Sequence, residues 1–150
     1  MEHVSLDDLE NRPMTADITK RATDPLSLEN MALNYYELAP GDEFSAGLHT
    51  HMEQEEIFLI LEGTATFETL DETIEVGPDE AIRFAPGEYQ QGKNEGEDRV
   101  RALGFGAPRD QGETRTPLSC RECDADYHTV DVGLDEMELQ CPDCGNAFTV

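Results

Sequence analysis

Two groups of residues in this 150-residue chain have the types and spacing that hold metal ions. The first is His49-Thr50-His51, with Glu56 five residues beyond the second histidine. In a strand, residues i and i+2 project from the same face, so both imidazoles would point together. The acidic turn Glu53-Gln54-Glu55 then allows a hairpin to return a carboxylate beside them. Two imidazoles and one carboxylate make three legs of a divalent-metal site and leave positions open for substrate, water or dioxygen. A solvated turn is the plainer reading of the same residues, and Glu55 is an alternative ligand to Glu56.

The second group is Cys120-x-x-Cys123 and Cys141-Pro-Asp-Cys144-Gly145, with 17 residues between the pairs. Each Cys-x-x-Cys turn brings two thiolates to one side of a metal, and two such turns complete a closed tetrahedral zinc site. The intervening Tyr127 to Val132 and Met137 to Leu139, with Phe148 beyond, fit the strands of a zinc ribbon. So short a segment has little apolar surface, and zinc can supply on the order of 10 kcal/mol of folding free energy. The zinc of Cys120, Cys123, Cys141 and Cys144 is therefore expected to be structural, and His128, between the knuckles, has no ligand role. The chain shows no secretion signal, which weighs against disulfides and for a cytoplasmic location.

The elements that must position the first group read as strands. Residues 1–29 form an arm whose one helical cue is Ser5 followed by Asp8, stopped by Pro13. From about Asn30 to residue 107, short apolar runs alternate with Pro, Gly and acidic turns, the rhythm of an all-β sandwich or barrel. The expected strands are Met31 to Leu38, Phe44 to His51, Glu56 to Leu61, Thr64 to Thr69, Thr73 to Val76, Ala81 to Ala85 and Arg99 to Phe105. Residues 108–119 read as a linker, and 120–150 as the ribbon. The run Ile57-Phe58-Leu59-Ile60-Leu61 is apolar on both faces, so each face needs a cover. The arm, a second packed sheet or a second copy of the chain would serve, and a homodimer is expected.

Gly41, His49, His51, Glu56 and Gly63 resemble the first motif of the cupin family, although the gap from Gly41 to His49 is longer by two. Ala85-Pro86-Gly87-Glu88-Tyr89-Gln90-Gln91-Gly92-Lys93-Asn94 resembles its second motif, Pro-x-Gly-x-x-His-x-x-x-Asn, with Ala85 in the proline position and Gln90 in that of the third histidine. The resemblance covers about residues 30–107. It implies a jelly-roll β-barrel, often dimeric, with one divalent metal (Fe, Mn, Ni or Zn) held by His49, His51, Glu56 and the residue in the third-histidine position. An amide oxygen at Gln90 is a harder, weaker ligand than imidazole, and it would bind the metal, bind substrate or leave a water in its place. Tyr89, beside that position, is a candidate proton or hydrogen-bond donor to substrate.

Charge narrows the partners. Ten Lys and Arg against 34 Asp and Glu leave a net charge of -24 and a pI near 4.1. Such a surface repels nucleic acid and anionic membranes. Eight of the ten basic residues are Arg, and the pattern resembles cytoplasmic proteins of salt-accumulating archaea. The exception is the segment from 99 to 121, where Arg99, Arg101, Arg109, Arg115 and Arg121 face only Asp110 and Glu113. Those arginines either pair within the acidic shell or dock an anion, an acidic partner or a nucleic acid in high salt. Residues 120–150 carry eight acids and one Arg, so the ribbon suits a protein partner or a structural cap. The expected function is a metal-dependent enzyme acting on a small molecule, of dioxygenase or isomerase type; the rival is a non-enzymatic metabolite- or metal-sensing module whose ribbon contacts a protein partner.

Overall fold

The computed structural model describes residues 1–132 and 137–150; the four remaining residues lie inside the segment read as the ribbon. Its strands are β1 (Ile18–Arg21), β2 (Ala32–Leu38), β3 (Thr50–His51), β4 (Glu55–Glu62), β5 (Ala65–Glu68), β6 (Thr73–Val76), β7 (Ala81–Phe84), β8 (Gln91–Lys93), β9 (Val100–Ala107), β10 (Thr114–Thr116), β11 (His128–Val132), β12 (Met137–Gln140) and β13 (Ala147–Thr149). The helical cue at Ser5 yields only the short 3-10 turn Leu6–Asp8, whose Asp7 N–H donates to the serine hydroxyl. Among the described residues there is no α-helix, and no helix is long and apolar enough to cross a membrane.

The strands form an all-β, jelly-roll-like barrel. One wall is the sheet β1-β2-β9-β4-β7, and the opposite side contains β6-β5-β8. Strand β9 shows how sequence makes a wall: Val100, Ala102, Gly104 and Gly106 are buried while Arg101, Leu103, Phe105 and Ala107 are half-buried on the outer side. That is the period-2 alternation of a sheet with one packed face. Inside, Phe44, Phe58, Phe67 and Phe84 are buried, with neighbouring ring centroids 4.9 to 5.7 Å apart. Aromatic rings of this size fill a small barrel with few residues and gain from edge and offset contacts. Gly63, the last residue of the first motif, takes φ +74, and a Cβ there would lie 2.5 Å from the Arg99 carbonyl oxygen. Only glycine fits that turn without displacing backbone.

The segment 108–119, read as a linker, contains β10, which pairs on one side with β3 and on the other with β11. The bridges Glu43↔Lys93 and His49↔Gln90 fasten the chain leading into β3 to the region of β8. The ribbon strands therefore continue a barrel wall. The arm likewise joins the barrel, because β1 pairs along β2. It does not hide the outer side of β4: Ile57, Leu59 and Leu61 remain half-buried. The arginine-rich stretch is largely paired at home, Arg99 with Asp17 and Glu37, Arg101 with Glu62, Arg109 with Asp24 and Arg115 with Glu113.

Candidate metal centre

His49, His51 and Glu56 come together as one group, their ligand atoms all within 4.8 Å of one another. Strand β3 carries His51, the chain just before it carries His49, and β4 supplies Glu56. The expected long strand from Phe44 to His51 is shorter in fact, with β3 only Thr50–His51. Gly47, at φ +109, breaks the run. Pairing of His49 with Gln90 still holds the His-x-His segment extended, and the two rings lie 5.0 Å apart.

The imidazoles are oriented by their outer nitrogens. His49 Nδ1 lies 3.0 Å from the Gly47 carbonyl oxygen. A carbonyl only accepts, so Nδ1 carries the proton and Nε2 offers its lone pair to the site. His51 Nδ1 lies 2.9 Å from Thr114 Oγ1, and its Nε2 faces Glu56 Oε1 at 3.6 Å. The Gly47 carbonyl thus fixes the tautomer of His49, and the Thr114 hydroxyl, able to donate or accept, holds the orientation of the His51 ring, as partners behind metal-binding histidines do.

Charge states favour the same use. Burial pushes His49 below its ordinary value, against the raising effects of the Gly47 carbonyl and Glu56. Burial alone would raise the Glu56 carboxyl, but the His51 contact, the neighbouring His49 charge and the Gln90 hydrogen bond outweigh it, and the net direction is down. An imidazole and a carboxyl that both give up their protons more readily than usual are a ready donor set for a divalent cation.

Gln90 is 2 % exposed and stands at the same place. Its Nε2 donates to Glu56 Oε2 at 2.9 Å and lies 3.4 Å from His49 Nε2, while its Oε1 is buried without a hydrogen-bond partner. The amide end of Gln90 therefore stands at the site beside both Glu56 and His49. Glu55, the alternative ligand, turns outward to Arg83 at 2.5 Å. Tyr89 is not among the described residues lining the cavity; burial raises its phenol, with Arg115 and Tyr127 acting on it from the ribbon side.

The three metal-ligand candidates line a cavity of about 720 Å³. Its wall includes Tyr36, Asn34 and Phe58 from the barrel, and Val130, Val132, Met137 and Leu139 from the ribbon strands. Gly104 and Gly106 keep its floor low, since a Cβ at Gly104 would approach Tyr36 to 2.9 Å and one at Gly106 would approach Gln54 to 2.6 Å. Thr114 and the ribbon wall were not legible as site residues, because no local spacing announces a contact made 63 positions away.

The four cysteines also converge, with no disulfide. Sulfur separations of 3.7 Å for Cys120 and Cys144 and 3.5 Å for Cys123 and Cys141 approach the about 3.8 Å edge of a tetrahedron with 2.3 Å zinc–sulfur bonds. Backbone N–H groups, first that of Cys144 and then that of Asp143, draw the Cys141 thiol down to about 6. Contacts with the neighbouring thiols push Cys123 and Cys144 the other way, and it is the convergence of four sulfurs that fits a structural zinc. His128 lies outside the cluster, with Nδ1 2.6 Å from the Leu118 carbonyl oxygen.

Residues 34–105 match the family model of the cupin domain. No curated protein matches the chain in sequence. Among solved structures, it is similar to a sugar phosphate isomerase of the cupin superfamily from Silicibacter pomeroyi DSS-3, at 22% identity over 99% of this chain and 91% of that one, TM-score 0.65. It is also similar to the polyketide cyclase RemF from Streptomyces resistomycificus, at 24% identity over 81% and 88% of the two chains, TM-score 0.66. A predicted oxalate decarboxylase from Thermotoga maritima matches at 16% identity over 71% and 98%, TM-score 0.61. Likeness at these identities concerns the fold, and the three carry different chemistries on it. Taken with the two motifs and the jelly-roll-like walls, the match makes residues 34–105 of this chain similar to the cupin domain.

Proposed function

We propose that the barrel is the active site of a metal-dependent enzyme acting on a small molecule, with His49, His51 and Glu56 holding one divalent ion. The observation that carries this reading is the convergence of those three groups at the wall of a 720 Å³ cavity. A bound Fe(II) would supply redox chemistry with dioxygen, and Zn(II), Mn(II) or Ni(II) would supply Lewis acidity for isomerisation or hydrolysis. Gln90 keeps Glu56 aimed, and the ribbon strands shield one side of the ligand from water. Aromatic and aliphatic lining with one polar arc suits a partly apolar molecule that chelates through an oxygen-bearing end. The four-cysteine cluster holds a second, structural zinc.

The outer side of β4 supports a homodimer. Ile57 stands beside Phe105 and Leu59 beside Leu103, and Phe105 beside Leu33, so a half-buried apolar band is available to a second copy. The acidic surface supports a salt-rich cytoplasm as the setting.

Elemental analysis of protein purified in high salt tests the enzyme reading. It predicts two metal equivalents per chain, with His49→Ala removing only the non-thiolate one, and turnover or oxygen uptake that follows this metal. One zinc per chain, unchanged in the variant, contradicts it. A second reading, in which the barrel senses a metabolite or metal and reports through the ribbon to a protein partner, is favoured by the direct joining of β3 to β10. Two metals with ligand binding but no turnover would select it.

A further inference from the structure

The ribbon and the metal-ligand candidates meet at one hydrogen bond. Thr114 lies opposite His51 in the β3–β10 pairing, both residues are 8 % exposed, and Thr114 Oγ1 is 2.9 Å from His51 Nδ1. Thr114 is itself paired with Val130 of β11, and Val130 with Leu139 of β12. Cys141 follows β12 directly, at the cysteine cluster. A short ladder of paired strands thus runs from the thiolates to the imidazole. Strand β10 has only three residues, too few to hold its place without neighbours on both sides. Its neighbour β11 belongs to the ribbon, whose small apolar content makes its order depend on metal.

We propose that Thr114 is a positioning residue for the barrel metal centre and that the four-cysteine ribbon, by holding β10 in register, governs the affinity of that centre. With a metal on Nε2, the hydroxyl oxygen would accept the His51 Nδ1–H and so hold the ring toward Glu56. Loss of the ribbon metal frees β11 and β10, and His51 then loses both its partner and part of its cover. Coupling between sites is reciprocal, so filling the barrel also tightens the ribbon's hold on its metal. The inference rests on the metal-site reading above and adds the control of that site.

The test is Co(II) titration of the full chain, with the ribbon loaded with zinc, followed by the visible d–d bands of the nitrogen and oxygen site. Outer partners of metal-bound histidines change affinity by about 10–100-fold. Thr114→Val is therefore expected to weaken Co(II) binding by that factor and to shift the bands. Thr114→Ser, which keeps the oxygen, should restore both, while zinc content stays at one per chain in each. Cys144→Ser, which opens the ribbon site, should weaken Co(II) binding in the same direction. Parent-like affinity and spectrum in Thr114→Val overturn the role of Thr114. Parent-like affinity in Cys144→Ser overturns control by the ribbon, and circular dichroism shows whether its barrel is still folded; if it is not, ribbon metal exchange in Thr114→Val with and without Co(II) decides, an unchanged rate counting against coupling. A parent that takes up no Co(II) outside the ribbon removes the metal-site reading itself and this inference with it.

Discussion

The side-chain amide of Gln90 donates to Glu56 Oε2 at 2.9 Å, joining the position of the family's third histidine to the carboxylate on β4. In this contact the amide supports the carboxylate. Glu56 has its other oxygen toward His51, so the two contacts together limit rotation of the carboxylate.

Removing that support should loosen the metal without dismantling the barrel. Gln90→Ala is expected to weaken divalent-metal binding at the barrel by about 10–100-fold, the usual scale for outer partners of ligands. Isothermal titration of protein with a filled ribbon checks it. Unchanged affinity would show that Glu56 needs no such partner.

Acid should act on the same group of residues. His49 lies below its usual 6.5 and Glu56 below its usual 4.5. Below pH 6.5 the unfolded chain therefore protonates His49 before the folded chain does, and the folded state loses stability as pH falls. Glu56 contributes stability that is present above 4.5 and is lost as pH falls through its depressed folded value. Neutralising the other acids works the opposite way, because it relieves the repulsion of a net charge of -24. The difference between the parent and His49→Gln isolates the histidine: between pH 7 and 5 the parent should lose ground to the variant in urea unfolding of metal-free protein. A parent that gains on the variant over that interval contradicts the assignment.

Salt should stabilise the protein. Exposed ion pairs such as Arg12–Glu10 and Arg99–Asp17 contribute little and are weakened by screening. Repulsion summed over the whole surface is relieved by the same screening, whose length falls to about 3 Å in molar salt. The larger effect is the repulsion, so the melting temperature should climb with KCl. Equal melting temperatures in dilute buffer and in molar KCl would remove the high-salt setting.

A charge placed on the apolar outer band should separate the subunits of the proposed dimer. Leu59 faces outward next to Leu103, and Leu59→Glu would carry a carboxylate into any contact made there. Sedimentation in high salt should show a dimer for the parent and a monomer for the variant, with both barrels folded. A monomeric parent contradicts the homodimer.

Much of the site was legible because its chemistry is local. His49, His51 and Glu56 needed only the two-residue period of a strand and a tight return, and the cysteine pairs needed only their own turns. Strands β2, β4, β6 and β9 were legible from alternating or continuous apolar runs. The shorter elements were not: β8 is Gln91–Lys93, without an apolar run, and β10 is Thr114–Thr116 inside a stretch rich in turn residues. Both are strands because neighbouring strands pair with them, a tertiary cause that residue propensity does not contain. Tyr89 is singled out in the sequence only by its place next to Gln90, and in the fold Arg115 and Tyr127 are its charged or titratable neighbours. Gln90 is ambiguous in the sequence for a related reason: an amide can donate or accept, and only the fold brings it beside Glu56.

The most direct measurement is anomalous diffraction from crystals grown with Mn(II) or Fe(II), recorded at the absorption edge of the added metal. The account predicts a peak about 2.0–2.2 Å from Nε2 of His49, Nε2 of His51 and one oxygen of Glu56, separate from a zinc peak among the four cysteines. Density confined to the cysteines, with the two imidazoles and the carboxylate bound only to protein or water, would contradict it.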